Sequence, residues 1–329
     1  MDKVPSSISS IPFKIRDIIL STQYASESRD SLEAVSKSTL PAFPQTALVK
    51  LYSLVALFPP PSKPSPGQLA RLFLTIHPSL AHAPFQAWAM LNRQTEESGL
   101  GELGSPSMID SAEDMGLFGY QIIRIERENE YHARVFFEGP QSTTPIVISV
   151  PAGPLKLRPF PFTGKLEFHP TRRFMGLLTC FLQAHALGWD ISFIPPALPS
   201  TASSSTSTLV KVFSQILGYE TESVHMYKEL GGRELTMRRK IEASGATTWE
   251  PRSARVSSGV LKIILILRLN SPIIEAAWTG RLLHLAGLDV IGATAGSLAR
   301  LAQDREAELW EGKRIVSNAS AEEVTLNLL

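Results

Sequence analysis

The sequence predicts an α+β fold, an N-terminal helical domain followed by a larger, mainly antiparallel α+β unit. Three observations lead there. Apolar residues recur at helical spacing through residues 1–95, the period changes to 2 from Gly119, and beyond that point strands come in groups before a helix. The 329-residue chain is 43% hydrophobic and 19% charged, a globular mix far from that of disordered chains.

In the N-terminal part, Ile15, Ile18 and Ile19 share one helix face, and Leu48, Leu51, Tyr52 and Val55 repeat the pattern. Asp30 and Glu33 have capping-box spacing. The proline run from Phe58 to Pro66 requires an extended connector, since proline donates no backbone hydrogen bond. It also opens the next helix, with Ser65 as N-cap, Pro66 at the first position and Gln68 as the reciprocal partner, followed by a stripe of Leu69, Leu72, Phe73 and Ile76. A further helix is predicted from Pro84, burying Phe85, Trp88 and Ala89. Residues 96–118 are acidic, contain glycines and no basic residue, and read as a flexible linker.

Residues 119–195 are expected to form an α+β subdomain. Ile123 and Ile125 alternate with charged residues, Glu128-Asn129-Glu130 makes a turn, and Ala133, Val135 and Phe137 alternate on the way back. Ile146–Val150, Lys165–Phe168 and Trp189–Ile194 are the other strands predicted, with a helix over 171–187 closed by Gly188. Residues 196–208 are rich in Ser, Thr and Pro and read as a loop. Residues 209–315 form a second α+β subdomain: a helix over 209–217, strands over 222–227, 234–243 and 260–269, a helix from Pro272 through Leu282 and Leu285 to Gly287, a strand over 288–291, and a helix over 294–310. Residues 316–329 are a polar tail. The ordering within 119–194 resembles that within 220–291, which raises the question of a structural repeat.

The single cysteine, Cys180, excludes an intramolecular disulfide framework and a multi-thiolate zinc site. The N-terminus lacks the apolar stretch of a secretory signal, and no segment approaches the ~20 apolar residues of a membrane span. The setting expected is intracellular, cytoplasmic or nuclear, and not secreted. Gly99, Gly101 and Gly104 match the dinucleotide pattern G-x-G-x-x-G, but no strand precedes them, Glu102 lies within, and the local charge repels phosphate. Cys180 falls on an apolar helix face and reads as a small core residue. The seven histidines offer no metal-binding spacing. No catalytic residue, cofactor or metal is nominated, and the reading leans away from an enzyme.

Net charge conceals segregation. The 32 Lys+Arg nearly balance 31 Asp+Glu overall, yet residues 119–270 carry a basic surplus between mildly acidic ends. Within it, Lys156, Arg158, Lys165, Arg172 and Arg173 are interleaved with Phe160, Phe162 and Phe168, and Arg233, Arg238, Arg239 and Lys240 form a second cluster. Cations with aromatics suit an anionic partner or a nucleic-acid backbone with its bases. Trp249, in a loop-like context beside Pro251, is a candidate partner contact. The leading expectation is therefore a non-enzymatic interaction or scaffold subunit of a larger assembly, partnered by a protein or a second copy of itself. Nucleic-acid binding through the two basic clusters is the first alternative, and an enzyme with an inter-domain site is the second.

Overall fold

The computed structural model describes residues 11–27, 43–44, 46–103, 116–140, 144–163, 166–192, 202–232, 235, 238–241, 245, 247–250, 271–288, 290–303, 307–308 and 314–315. The fold is α+β, and the chain divides into two compact units: residues 1–151 with 159–205, and residues 152–158 with 206–329. The Asp30–Glu33 capping box and the strand expected over 260–269 lie outside the described residues.

The first unit begins with four helices, α1 (Ile11–Glu27), α2 (Thr46–Leu57), α3 (Pro66–Ile76) and α4 (Phe85–Glu97). Ile15, Ile18 and Ile19 of α1 are buried as their spacing requires. In α2 the buried stripe is Ala47, Leu51 and Leu54, continued by Phe58, while Tyr52 is exposed. The α3 capping box forms as expected: Ser65 Oγ accepts from Gln68 N at 3.2 Å, and Gln68 Oε1 accepts from Ser65 N at 3.0 Å. In α4 the packed residues are Ala87, Trp88, Leu91 and Thr95, with the Trp88 indole donating to Leu80 O at 3.1 Å. Phe85, expected in the core, is 81% exposed, and Ala89 is exposed too. Phe85 is the first residue of the helix, two residues ahead of where the packed stripe begins.

A three-stranded antiparallel sheet follows, in the order β1 (Gln121–Arg127), β2 (His132–Glu138), β3 (Ile146–Pro151). The alternation read from sequence places Ala133, Val135 and Phe137 in the core. Phe58 joins helices to sheet, with its ring edge-on to Tyr120 at 5.4 Å and to Phe137 at 5.1 Å. The Tyr120 hydroxyl donates to Pro59 O at 3.0 Å, and burial pushes its pKa up to about 12.

Helix α5 (Arg172–Ala186) packs on the sheet and is capped by Thr171, whose side chain accepts from Phe174 N. Gly188 has a φ of 69°, the left-handed conformation that closes a helix. Trp189 was expected to start a strand; instead its N–H bonds Ala184 O at 2.9 Å and completes the helix end, and 189–192 are irregular. Residues 166–168 are likewise not a strand. Phe162, Phe168 and Phe174 pack ring to ring there, at 5.2 and 4.9 Å, between prolines that interrupt any ladder.

His185 of α5 is half-buried and its Nε2 donates to Pro151 O at 2.9 Å. Burial lowers its pKa, more than this bond raises it. The unfolded chain therefore binds the proton more readily, so stability is expected to fall as pH drops through the ordinary histidine range near ~6.5. Denaturant midpoints measured across that range would check this, and His185→Gln should flatten the slope.

In the second unit, α6 (Ala202–Leu217) begins seven residues before the helix read from sequence, drawing the Ser/Thr run into its first turns. Residues 152–158 run along its C-terminal end. Gly153 N, Leu155 N and Arg158 N donate to Leu217 O, Gly218 O and Gln215 O, occupying carbonyls that a helix end otherwise leaves bare. Strand β4 (Thr221–His225) pairs in parallel with β7 (Leu282–Ala286), and α7 (Pro272–Thr279) packs on both. The segment of β7 was expected to be the end of a helix. Gly280, with a φ of 67°, ends α7 early and frees it to pair.

Strands β5 (Arg238–Ile241) and β6 (Thr247–Glu250) form an antiparallel pair, and Trp249 therefore lies in a strand and not in a loop. Residues 292–298 form a 3-10 helix and α8 spans only Ala299–Gln303. The longer helix expected over 294–310 gives way to β8 (Ala307–Glu308), which pairs with β9 (Arg314–Ile315). Residues 288, 290 and 291 are turns where a strand over 288–291 was expected. Among the described residues, the first of the two segments considered as a repeat holds an antiparallel meander, whereas the second holds a parallel pair and a separate antiparallel pair.

Candidate functional site

The sequence-nominated cations fall on different elements of the two units. Lys156 is exposed and Arg158 half-buried in the strap of the second unit, where Arg158 Nη1 bonds Gln215 Oε1 at 2.6 Å. Arg172 and Arg173 are exposed in the first turn of α5 in the first unit. Arg238, Arg239 and Lys240 occupy successive positions of β5, in register with Glu250, Trp249 and Thr248. Lys165 and Arg233 lie outside the described residues. The phenylalanines between these cations are engaged with one another: Phe160 meets Phe162 at 5.0 Å, and the contacts continue through Phe168 to Phe174. The dinucleotide pattern is accounted for differently. Gly99, with a φ of 65°, closes α4, and Leu100 N donates back to Thr95 O; Gly104 lies outside the described residues.

Cys180 is half-buried, with Arg71 Nη1 3.5 Å from its sulfur. Among the described residues, no three His, Cys, Asp or Glu side chains converge to hold a metal ion, and no helix is long and apolar enough to cross a membrane.

Two places have geometry with functional content. The first is the sheet of the first unit, whose two edges differ. The β1 edge is broken by a register shift between Ile122 and Arg124 and carries charges: Arg124 and Arg134 both reach Glu126, at 3.3 and 3.8 Å, and the Arg124 guanidinium lies 4.1 Å from the Phe136 ring centroid. Such half-exposed ion pairs add little stability, but bulge and charge together blunt an edge. The β3 edge has neither device over Ile146–Val150, ahead of its terminal Pro151. Its residues Ile146, Val147, Ile148, Ser149 and Val150 are uncharged, the pairing with β2 is regular, and Val147 is 47% exposed. Among the described residues no strand pairs with its outer side.

The second place is a cleft of about 260 Å³ in the second unit, between α6 and one face of the β4–β7 pair. Period 2 in β4 puts Thr221, Ser223 and His225 on that face, and the parallel register sets His284 beside Ser223, with Ser223 Oγ 3.3 Å from His284 Nδ1. The opposite face is apolar: Val224, Leu283 and Leu285 pack on Met226, Leu230, Leu235, Ile273, Ile291 and Leu298. Across the cleft, helical spacing presents Lys211 and Ser214 of α6. The carboxylates nearest along the strands are directed elsewhere, since Glu220, Glu222 and Glu275 all reach Arg281, at 2.9, 3.7 and 3.7 Å. The pKa of His284 is lowered, by burial first and then by the neighbouring His225.

Sequence reasoning missed this cleft. The polar alternation of Thr221, Ser223 and His225 was a usable signal, but His284 was placed on a helix, and its partner lies 61 positions away.

No family model matches the chain, and no solved structure matches it. Over 111 residues, 33% of its length, the chain is 29% identical to von Willebrand factor A domain-containing protein 8 of Mus musculus. That stretch is only 5% of the mouse protein, so the chain spans a small fraction of the relative it matches.

Proposed function

We propose that this protein is a non-enzymatic interaction subunit of a larger assembly and that it takes an extended strand of a protein partner on the outer edge of β3. The observation that carries this reading is the contrast between the two edges of one sheet. A strand docking at β1 would meet a bulge and would have to desolvate Arg124 and Glu126; at β3 it meets regular, uncharged backbone. The partial similarity to one short stretch of a very long protein is compatible with a part that works among other parts.

Nucleic-acid binding has less support, because the aromatics that would stack on bases already contact one another. The test is site-specific photo-crosslinking of the whole chain in its native source, with the reactive residue at Val147 or, as control, at Arg124. Adducts to a reproducible partner peptide are expected at Val147 and not at Arg124. Equal labelling at the two positions, or no adduct from either, would count against the reading. Val147→Lys is expected to weaken partner binding about tenfold or more, since it places a charge on the docking edge.

A further inference from the structure

We propose that the cleft between α6 and the β4–β7 pair is a binding site for a tetrahedral oxyanion, a phosphate group carried free or on a small molecule. This goes beyond the strand-addition reading and involves a different unit of the chain. The argument begins with what the cleft is made of. A sheet face packed by a helix ordinarily carries apolar side chains, as the opposite face of this same pair does with Val224, Leu283 and Leu285. Here the alternation instead delivers Thr221, Ser223 and His225 from β4 and His284 from β7, facing Lys211 and Ser214 from α6.

These groups suit one ligand chemistry. The Lys211 ammonium supplies positive charge, the imidazoles supply N–H donors, the Thr221 and Ser223 hydroxyls supply neutral donors while Ser214 Oγ is engaged with Lys211 O at 2.9 Å, and no carboxylate is part of the lining among the described residues. Glu220, just before β4, and Glu222, on it, reach Arg281 instead, as does Glu275 from α7, the other element packed on the pair. A volume of about 260 Å³ admits a phosphate with a small attached group and falls below the ~300–1,000 Å³ of pockets for drug-sized ligands.

The neighbouring His225 disfavours the protonated form of His284, and an anion bound beside His284 and Lys211 opposes that effect. Binding and proton uptake are therefore linked, and the site fills more readily as pH falls toward the histidine range.

The experiment is a titration of the full chain with inorganic phosphate, followed by the imidazole C2–H resonances of His225 and His284 at about pH 6 and about pH 8. Saturable shifts of both resonances, tighter binding at the lower pH and a rise of the His284 titration midpoint in the presence of phosphate are the expected results. Lys211→Met should weaken binding about tenfold, with Lys211→Arg restoring most of it, while circular dichroism stays unchanged.

A parallel titration with glycerol phosphate separates the sources. Affinity higher than that for inorganic phosphate identifies a phosphorylated small molecule, and equal or lower affinity identifies free phosphate. Should Lys211→Met fail to fold, Ser223→Ala and His284→Gln serve as the second and third variants, each expected to weaken binding. Absence of saturable shifts at either pH, or unchanged affinity in folded variants, overturns the proposal.

Discussion

Replacing Phe58 by alanine is expected to destabilise the first unit by about 3–5 kcal/mol. The side chain is fully buried at the end of α2 and stands edge-on to two other aromatic rings, Tyr120 before β1 and Phe137 in β2. Truncation removes the transfer energy of a benzyl group and the two ring contacts, one of them to Tyr120, whose hydroxyl bonds Pro59 O. The surrounding elements cannot close the gap cheaply, because one wall is a helix end and the other a strand. Hydrogen exchange is the informative measurement: amides of β2 around Phe137 should lose protection together with those of α2. Phe58→Leu keeps most of the volume and should cost about 1–1.5 kcal/mol. An alanine variant with unchanged β2 protection would show that the ring does not couple helices to sheet.

The parts of this fold that were legible in the sequence are those set by local chemistry. The Ser65-Pro66-Gln68 cap, the β1–β2 hairpin around Glu128 to Glu130 and the closure of α5 at Gly188 all depend on residues within a few positions of one another. The misread elements are those where a short apolar run is ambiguous between periods. Leu282 to Ala286 fits the spacing of a helix begun at Pro272 as well as it fits a strand, and the choice rests on Gly280 turning left-handed and on β4 being available to pair. The Ser/Thr run before Leu209 has low helix propensity but is carried into α6 by the apolar turns that follow it.

The candidate sites show the same division. The nominated cations were visible as charge clusters, and they fall on the 152–158 segment, the first turn of α5 and β5. The polar cleft was invisible because it needs the parallel partnership of β4 with β7, a long-range pairing that no local signal announces. The uncharged β3 was legible as a strand. That its outer side is an edge follows only from the sheet order.

A second large effect is expected at Gln183, a fully buried polar side chain with no role in sequence-based expectations. Its Oε1 accepts from Leu117 N at 2.8 Å and its Nε2 donates to Leu117 O at 3.2 Å, so one amide satisfies both backbone groups of a buried residue. The turn it holds is tight. Phe118 and Gly119 have φ of 58° and 79°, and a Cβ on Gly116 would come within 2.5 Å of the Thr179 methyl and 2.9 Å of Gln183 Oε1. Gln183→Leu preserves size but leaves the Leu117 N–H unpaired in the core and its carbonyl with only the 3.4 Å bond from Tyr120 N, a loss of about 1–3 kcal/mol in denaturant unfolding.

Gln183→Glu distinguishes hydrogen bonding from packing. The introduced carboxyl can accept from Leu117 N in either state, but only its protonated form can donate to Leu117 O, and burial also favours the neutral form. Its pKa should therefore be higher in the folded chain than in the unfolded one. The stability it contributes is present below the unfolded value near ~4.3 and is lost as pH rises toward and through the folded value. Gln183→Leu should lack that added pH dependence. If the two variants show the same pH profile, the paired bonds to Leu117 are not what the side chain supplies, and its burial reflects shape alone.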